Sequence, residues 1–138
     1  MRKYLLVFIF ISLCSCSNPD DGNTILPNVP VNVTLNLNLP IYQDLLINNG
    51  SAFVSNHGIK GIIVFRFSES SIFAWDAACP HISPSQCSTM NIIGVKMVCG
   101  CNSSEFSLLD GSPLSGTQFP ARQYKVSKTG NALTITNF

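Results

Sequence analysis

Residues 31–39 read V-N-V-T-L-N-L-N-L, a strict two-residue alternation that puts every apolar side chain on an odd position. Successive side chains of a strand point to opposite faces, so this segment is a strand with one buried and one wet face. No stretch of the chain sustains a 3.6-residue period, and an all-β fold of stacked antiparallel sheets or a small sandwich follows. Pro40 ends the first strand, residues 42–47 form a short helical turn, and Asn49-Gly50 turns the chain into a strand at 52–54. Residues 62–67 and 72–77 read as one hairpin, and residues 123–127 and 132–136 read as a second around Thr129-Gly130-Asn131. At 138 residues there is room for one domain of ordinary size, here residues 31–138.

Between those hairpins, residues 78–121 are rich in Cys, Pro, Ser and Gly, with a single strand expected at 92–98. Loops of this kind carry whatever chemistry a scaffold supports. The segment holds Cys79, Cys87, Cys99 and Cys101. Its other polar groups do not point to a catalyst. Asp76, Glu105 and Asp110 are isolated rather than paired, and there is neither a G-x-S-x-G elbow nor a nucleotide-binding glycine loop. His57 sits in a turn-like N-H-G and reads as a solvated histidine; Phe73 and Trp75 alternate on a strand and read as core. With 46% hydrophobic and 11% charged residues the chain is not a disordered one, and a net charge of +1 leaves no footprint for nucleic acid.

The amino terminus carries its own signals. Arg2 and Lys3 precede an apolar run over residues 4–13, too short to span a bilayer and shaped like a secretory signal. Leu13-Cys14-Ser15-Cys16 then resembles the bacterial lipobox, which implies that residues 1–15 are removed and that Cys16 becomes a lipidated first residue. Residues 16–30 would form an acidic tether, similar to the export signals of bacterial surface lipoproteins. The expectation is export across the inner membrane, anchoring to a membrane through Cys16, on the outer membrane or cell surface, and an oxidising environment for the remaining cysteines.

The central segment pairs C-P-H at 79–81 with C-G-C-N-S-S-E-F at 99–106. Here the chain resembles the Rieske family, whose members carry C-x-H on one loop and C-x-x-H on another, two thiolates on one iron of a [2Fe–2S] cluster and two imidazoles on the other. Phe106, Asp110-Gly111, Gly116, Pro120 and Tyr124-Lys125-Val126 follow in the family's order. The resemblance implies stacked antiparallel sheets with a small loop-rich cluster-binding subdomain, one-electron transfer and a redox protein partner. It assigns Cys79 and Cys99 as thiolate ligands and His81 as the first imidazole. The fourth position is Asn102, whose neutral amide oxygen is a weak ligand for iron, and Ser103 stands where the family has a glycine.

Three outcomes stay open on these residues. One is a cluster completed by Asn102, water or a neighbour. A second is a cluster-free, disulfide-stapled surface lipoprotein acting as a binding or structural module. In that case Cys101, at the second-loop position of the family's loop-bridging disulfide, forms one bridge with Cys87, which sits a few residues past the first-loop position, and Cys79 forms another with Cys99. Exposed loop residues 82–86 would then serve partner contacts. The third is zinc held by four sulfurs. Four cysteines allow three connectivities.

Overall fold

The structure, a computed structural model, describes residues 25–138. The expected signal segment, the lipobox with Cys16 and tether residues 17–24 lie outside the described residues.

The strands are β1 (Asn32–Asn36), β2 (Gly50–Val54), β3 (Ile62–Arg66), β4 (Ile72–Asp76), β5 (Met90–Ile93), β6 (Lys96–Cys99), β7 (Glu105–Ser107), β8 (Pro113–Ser115), β9 (Gln123–Thr129) and β10 (Ala132–Thr136). A 3-10 helix spans Pro40–Leu46, and its proline sits in the first turn, where a missing N–H costs nothing. Two antiparallel sheets result: β1-β10-β9-β4-β3-β2, and β5-β6-β7-β8. The all-β expectation holds.

The alternation at 31–39 does its work in β1. Val31, Leu35 and Leu37 are buried against Leu133 and Ile135 of β10, together with Leu45, Val54, Ile62, Val64, Ala74 and Tyr124. Leu39 departs from the pattern: it is 47% exposed, because the strand ends at Asn36 and the chain turns into the helix. On β3 every residue is buried. Ile62 and Val64 face this first core, while Ile63 and Phe65 face a second one with Trp75, Met90, Met97, Phe106 and Leu108. That second core lies under the four-stranded sheet, and a period-two strand buried on both faces is what permits the stacking.

Two expectations change. The single strand at 92–98 is a hairpin, β5 and β6, with Ile93 opposite Lys96 and Gly94 at φ +62° in the turn. The apolar run hid a turn that glycine makes without a steric penalty. The expected tether is already part of the folded body from residue 25 onward. Leu26 is buried, Arg122 donates to the carbonyls of Leu26 and Pro27, and Asn137 donates to that of Val29.

Asp76 ties the sheets to the loop above them. Its carboxylate accepts hydrogen bonds from the backbone N–H groups of Ile59 (2.6 Å) and Ala78 (2.7 Å), from Lys60 N–H (3.4 Å) and from the Tyr124 hydroxyl (2.6 Å). Gly58, at φ +67°, passes so close that a Cβ there would lie 2.4 Å from Asp76 Oδ2. Burial, with the bond to this carboxylate, pushes the Tyr124 phenol far above its ordinary pKa, so it remains a donor.

Candidate functional site

Two loops meet at the open end of the β5–β6 pair. One covers residues 77–89 between β4 and β5, the other residues 100–104 between β6 and β7. Met90 stands opposite Cys99, so the residues just before β5 and just after β6 are brought together by register alone. An isolated bridge between Ala78 and Thr89 closes the first loop on itself, and Gly100 N–H donates to the Thr89 carbonyl at 3.0 Å. Gly100 has no room for a side chain: a Cβ would lie 2.6 Å from the Cys87 carbonyl oxygen.

Close approach at Gly100 sets its two neighbours against the first loop, and each is bonded to a different partner. A disulfide joins Cys79 to Cys99, with Cα atoms 5.6 Å apart, and another joins Cys87 to Cys101, with Cα atoms 4.8 Å apart. The pairs differ in setting. Cys79 and Cys99 are 0% and 1% exposed and belong to the second core, whereas Cys101 is half-buried and Cys87 exposed. The Ser85 hydroxyl lies 3.6 Å from Cys87 Sγ and 3.8 Å from Cys101 Sγ.

His81 leans on Phe106, with ring centroids 6.1 Å apart. Its Nε2 is 2.8 Å from the Asn102 amide nitrogen and 3.4 Å from Ser104 Oγ. The orientation of that amide follows from its other end, because Asn102 Oδ1 accepts from Ser104 N–H at 3.1 Å. Nδ2 therefore donates, His81 Nε2 accepts, and the ring's proton resides on Nδ1, which is buried with no hydrogen-bond partner among the described residues.

All four positions that the resemblance assigns to a cluster are thus in one place, but not as a ligand set. Iron in such a centre requires thiolate sulfur, and the sulfurs of Cys79 and Cys99 are bonded to each other. An imidazole ligand requires a free lone pair; that of His81 Nε2 accepts a hydrogen bond from Asn102 Nδ2–H. Asn102 itself turns its nitrogen, not its oxygen, toward the centre. The donor set as arranged does not fit a [2Fe–2S] group. The zinc alternative needs four thiolates, and all four sulfurs lie in disulfides. Among the described residues no group of three or more His, Cys, Asp or Glu is placed to hold a metal ion.

His57 lies exposed in the turn before β3 and has no part in the disulfide and hydrogen bonds that tie Cys79 to Cys99 and His81 to Asn102. Trp75 is buried, stacks on Phe73 at 6.4 Å and donates from its indole to the Leu108 carbonyl. Three contributors carry no signal in the sequence. Ser85 and Ser104 stand among many serines with nothing to single them out, and Asp76 is an isolated acid along the chain although folding surrounds it with donors.

The fold has relatives among solved structures. A chain of the complex of reduced oxygenase and oxidized ferredoxin in carbazole 1,9a-dioxygenase matches with a TM-score of 0.50 at 17% identity, over 78% of this chain and 92% of that one. The fold is Rieske-like. The ferredoxin of carbazole 1,9a-dioxygenase from Nocardioides aromaticivorans matches with a TM-score of 0.49 at 17% identity, over 80% of this chain and 100% of that one. A proposed NADH-dependent nitrite reductase small subunit from Mycobacterium tuberculosis gives 0.48 at 18% identity, over 80% and 98%. No family model matches the chain, and no curated protein matches it. What this Rieske-like fold shares with those structures is its architecture.

Proposed function

We propose that this chain is a lipid-anchored, exported Rieske-fold module whose loop pair is closed by two disulfides and serves as a binding or structural surface. One observation carries the reading: the two cysteines at the thiolate positions are bonded to each other, and the histidine at the imidazole position is capped by Asn102. The covalent link does for the loops what a shared ion would otherwise do, and it is compatible with the oxidising compartment that the lipobox implies. The presented surface is the tip at residues 82–86, most of it exposed. Anchoring through Cys16 belongs to the same proposal.

A second reading is an electron carrier in which reduced Cys79 and Cys99 hold one iron of a [2Fe–2S] cluster and His81 the other. It is favoured by the likeness to a ferredoxin complex and by the placement of Cys79, His81 and Cys99 together in one loop pair.

Iron, acid-labile sulfide and thiol assays on protein purified without added reductant separate the two. The expected result is a colourless protein with no iron, no sulfide and none of Cys79, Cys87, Cys99 or Cys101 reactive in denaturant. Two irons and two sulfides per chain with broad visible absorption would establish the carrier instead. The anchor is tested by Cys16→Ala, which should move the protein out of the membrane fraction; unchanged retention would overturn that part of the reading.

A further inference from the structure

We infer that Cys87–Cys101 is a thiol–disulfide exchange site for a protein dithiol, distinct in kind from the buried Cys79–Cys99 bond beside it. This rests on the disulfide-locked reading only for the inner pair, which must hold the loops while the outer pair opens.

Exposure separates the two bonds. Attack on a disulfide needs a thiolate to reach a sulfur from outside, and only the outer bond offers one. Cys87 lies at the end of an exposed run that begins at Ser83, and Gly100, Asn102 and Ser103 beside Cys101 are exposed as well. Cys79 and Cys99 are sealed in the second core. The two loops themselves also carry no Asp, Glu, Lys or Arg. From residue 77 to residue 104 the only charged side chain is Lys96, and it is paired with Glu105 at 2.8 Å, so no carboxylate there repels an incoming thiolate.

Ser85 is placed for the leaving group. The turn around it is held by other atoms: its N–H donates to Ser88 Oγ at 2.7 Å, and its carbonyl accepts from Ser88 Oγ at 3.1 Å and from Ser88 N–H at 3.4 Å. The Ser85 hydroxyl is left to face both outer sulfurs, where it donates to a thiolate as one forms. It is a positioning residue, since its proton does not transfer.

The step balances as a two-electron exchange. One thiolate of the partner's dithiol attacks Cys87 Sγ, a mixed disulfide forms, and the Sγ–Sγ bond breaks with its electron pair on Cys101. The partner's second thiolate then displaces Cys87 as thiolate. The partner ends as a disulfide, and Cys87 and Cys101 take up two protons.

The full mature chain, under native conditions, is treated in turn with dithiothreitol and with reduced thioredoxin, acid-quenched, labelled and read cysteine by cysteine by mass spectrometry. Cys87 and Cys101 should open together and at least about 30-fold faster than Cys79 and Cys99 with either reductant, the circular dichroism staying unchanged. Opening of all four at one rate, or of the inner pair first, overturns the proposal. Opening by dithiothreitol but not by thioredoxin overturns the protein-dithiol assignment. Labelling of Cys79 and Cys99 with no reductant present counts against the disulfide-locked reading instead, while the opening rate of Cys87 and Cys101 still decides the exchange site. Ser85→Ala should slow opening about three- to fivefold and move the pH profile for alkylation of the freed Cys101 thiol toward higher pH, with Ser85→Thr restoring both; an unchanged alkylation profile removes Ser85 from the site.

Discussion

The two cores of this molecule are held by different means. The first lies within the six-stranded sheet, whose strands run five to seven residues and whose buried face is almost wholly aliphatic, Tyr124 excepted. The second is roofed by strands of three or four residues and contains Cys79 and Cys99 among Trp75, Phe106, Met90 and Met97. Strands that short bury little each, and a sheet of them needs support from outside. Pattern maintains the first region; covalent closure between loops maintains the second. Any chemistry this fold offers is therefore concentrated where the sheet alone is weakest.

Removing the inner crosslink is the strongest way to break that contrast. Cys79→Ala with Cys99→Ala frees a loop of 20 residues, for which a loss of about 3 kcal/mol is expected from the entropy returned to the unfolded chain. Urea unfolding reads the total, and amide exchange reads its distribution. Protection should fall over β5 to β8 while β3, β4 and β10 keep theirs. A uniform loss across both sheets would mean that the two regions form one cooperative unit.

Next in size is the joint between the regions. In Asp76, Oδ1 accepts from Lys60 and Ala78 and Oδ2 from Ile59 and Tyr124; Asp76→Asn replaces one of these oxygens by a group that donates, leaves buried donors opposed, and should cost about 2 to 3 kcal/mol in the same experiment. Tyr124→Phe removes one of those bonds and should cost about 1 kcal/mol. It should also change the alkaline limb. The Tyr124 pKa is raised on folding, so its contribution is fully present below about pH 10, where the unfolded phenol is protonated, and declines as pH rises above that value. The decline should be shallower in Tyr124→Phe, and an identical slope would show that Tyr124 is not the group responsible.

The first region is legible in the sequence because its information is local. The alternation at 31–39 predicts which side chains of β1 enter the core, and Asn49-Gly50 and Gly130 mark turns that the structure makes. Leu39 fails for a reason outside its own segment, the helix that begins at Pro40. In the second region the loop pair is legible only through its cysteines and histidine. Their chemistry is not, because whether Cys79 faces an ion or Cys99 depends on angstrom-scale approach at Gly100 and on which end of the Asn102 amide meets His81. The hairpin of β5 and β6 is hidden by apolar residues on both sides of Gly94. Asp76 gives no signal at all, since its four donors come from three separate parts of the chain.

The smallest effect sharpens the comparison at the level of the backbone. Among the described residues three other than glycine adopt positive φ: Asn49 and Asn56 at +62° and +63° flank β2 in the first region, and Ser103 at +61° is in the second loop. Asparagine tolerates this conformation through its short polar side chain; serine has less of that tolerance and bears more of the roughly 1 to 2 kcal/mol that a left-handed residue costs. Ser103→Gly relieves that strain and loses about 0.5 to 1 kcal/mol to the greater freedom of glycine in the unfolded chain. The expected net is a stabilisation of about 0.5 kcal/mol, read as a higher urea midpoint at unchanged slope. Asn56→Gly, made in the same background, should gain less. Equal gains at both positions would show that the second loop is no more strained than the turns of the first region, and that the disulfides hold a relaxed backbone rather than a distorted one.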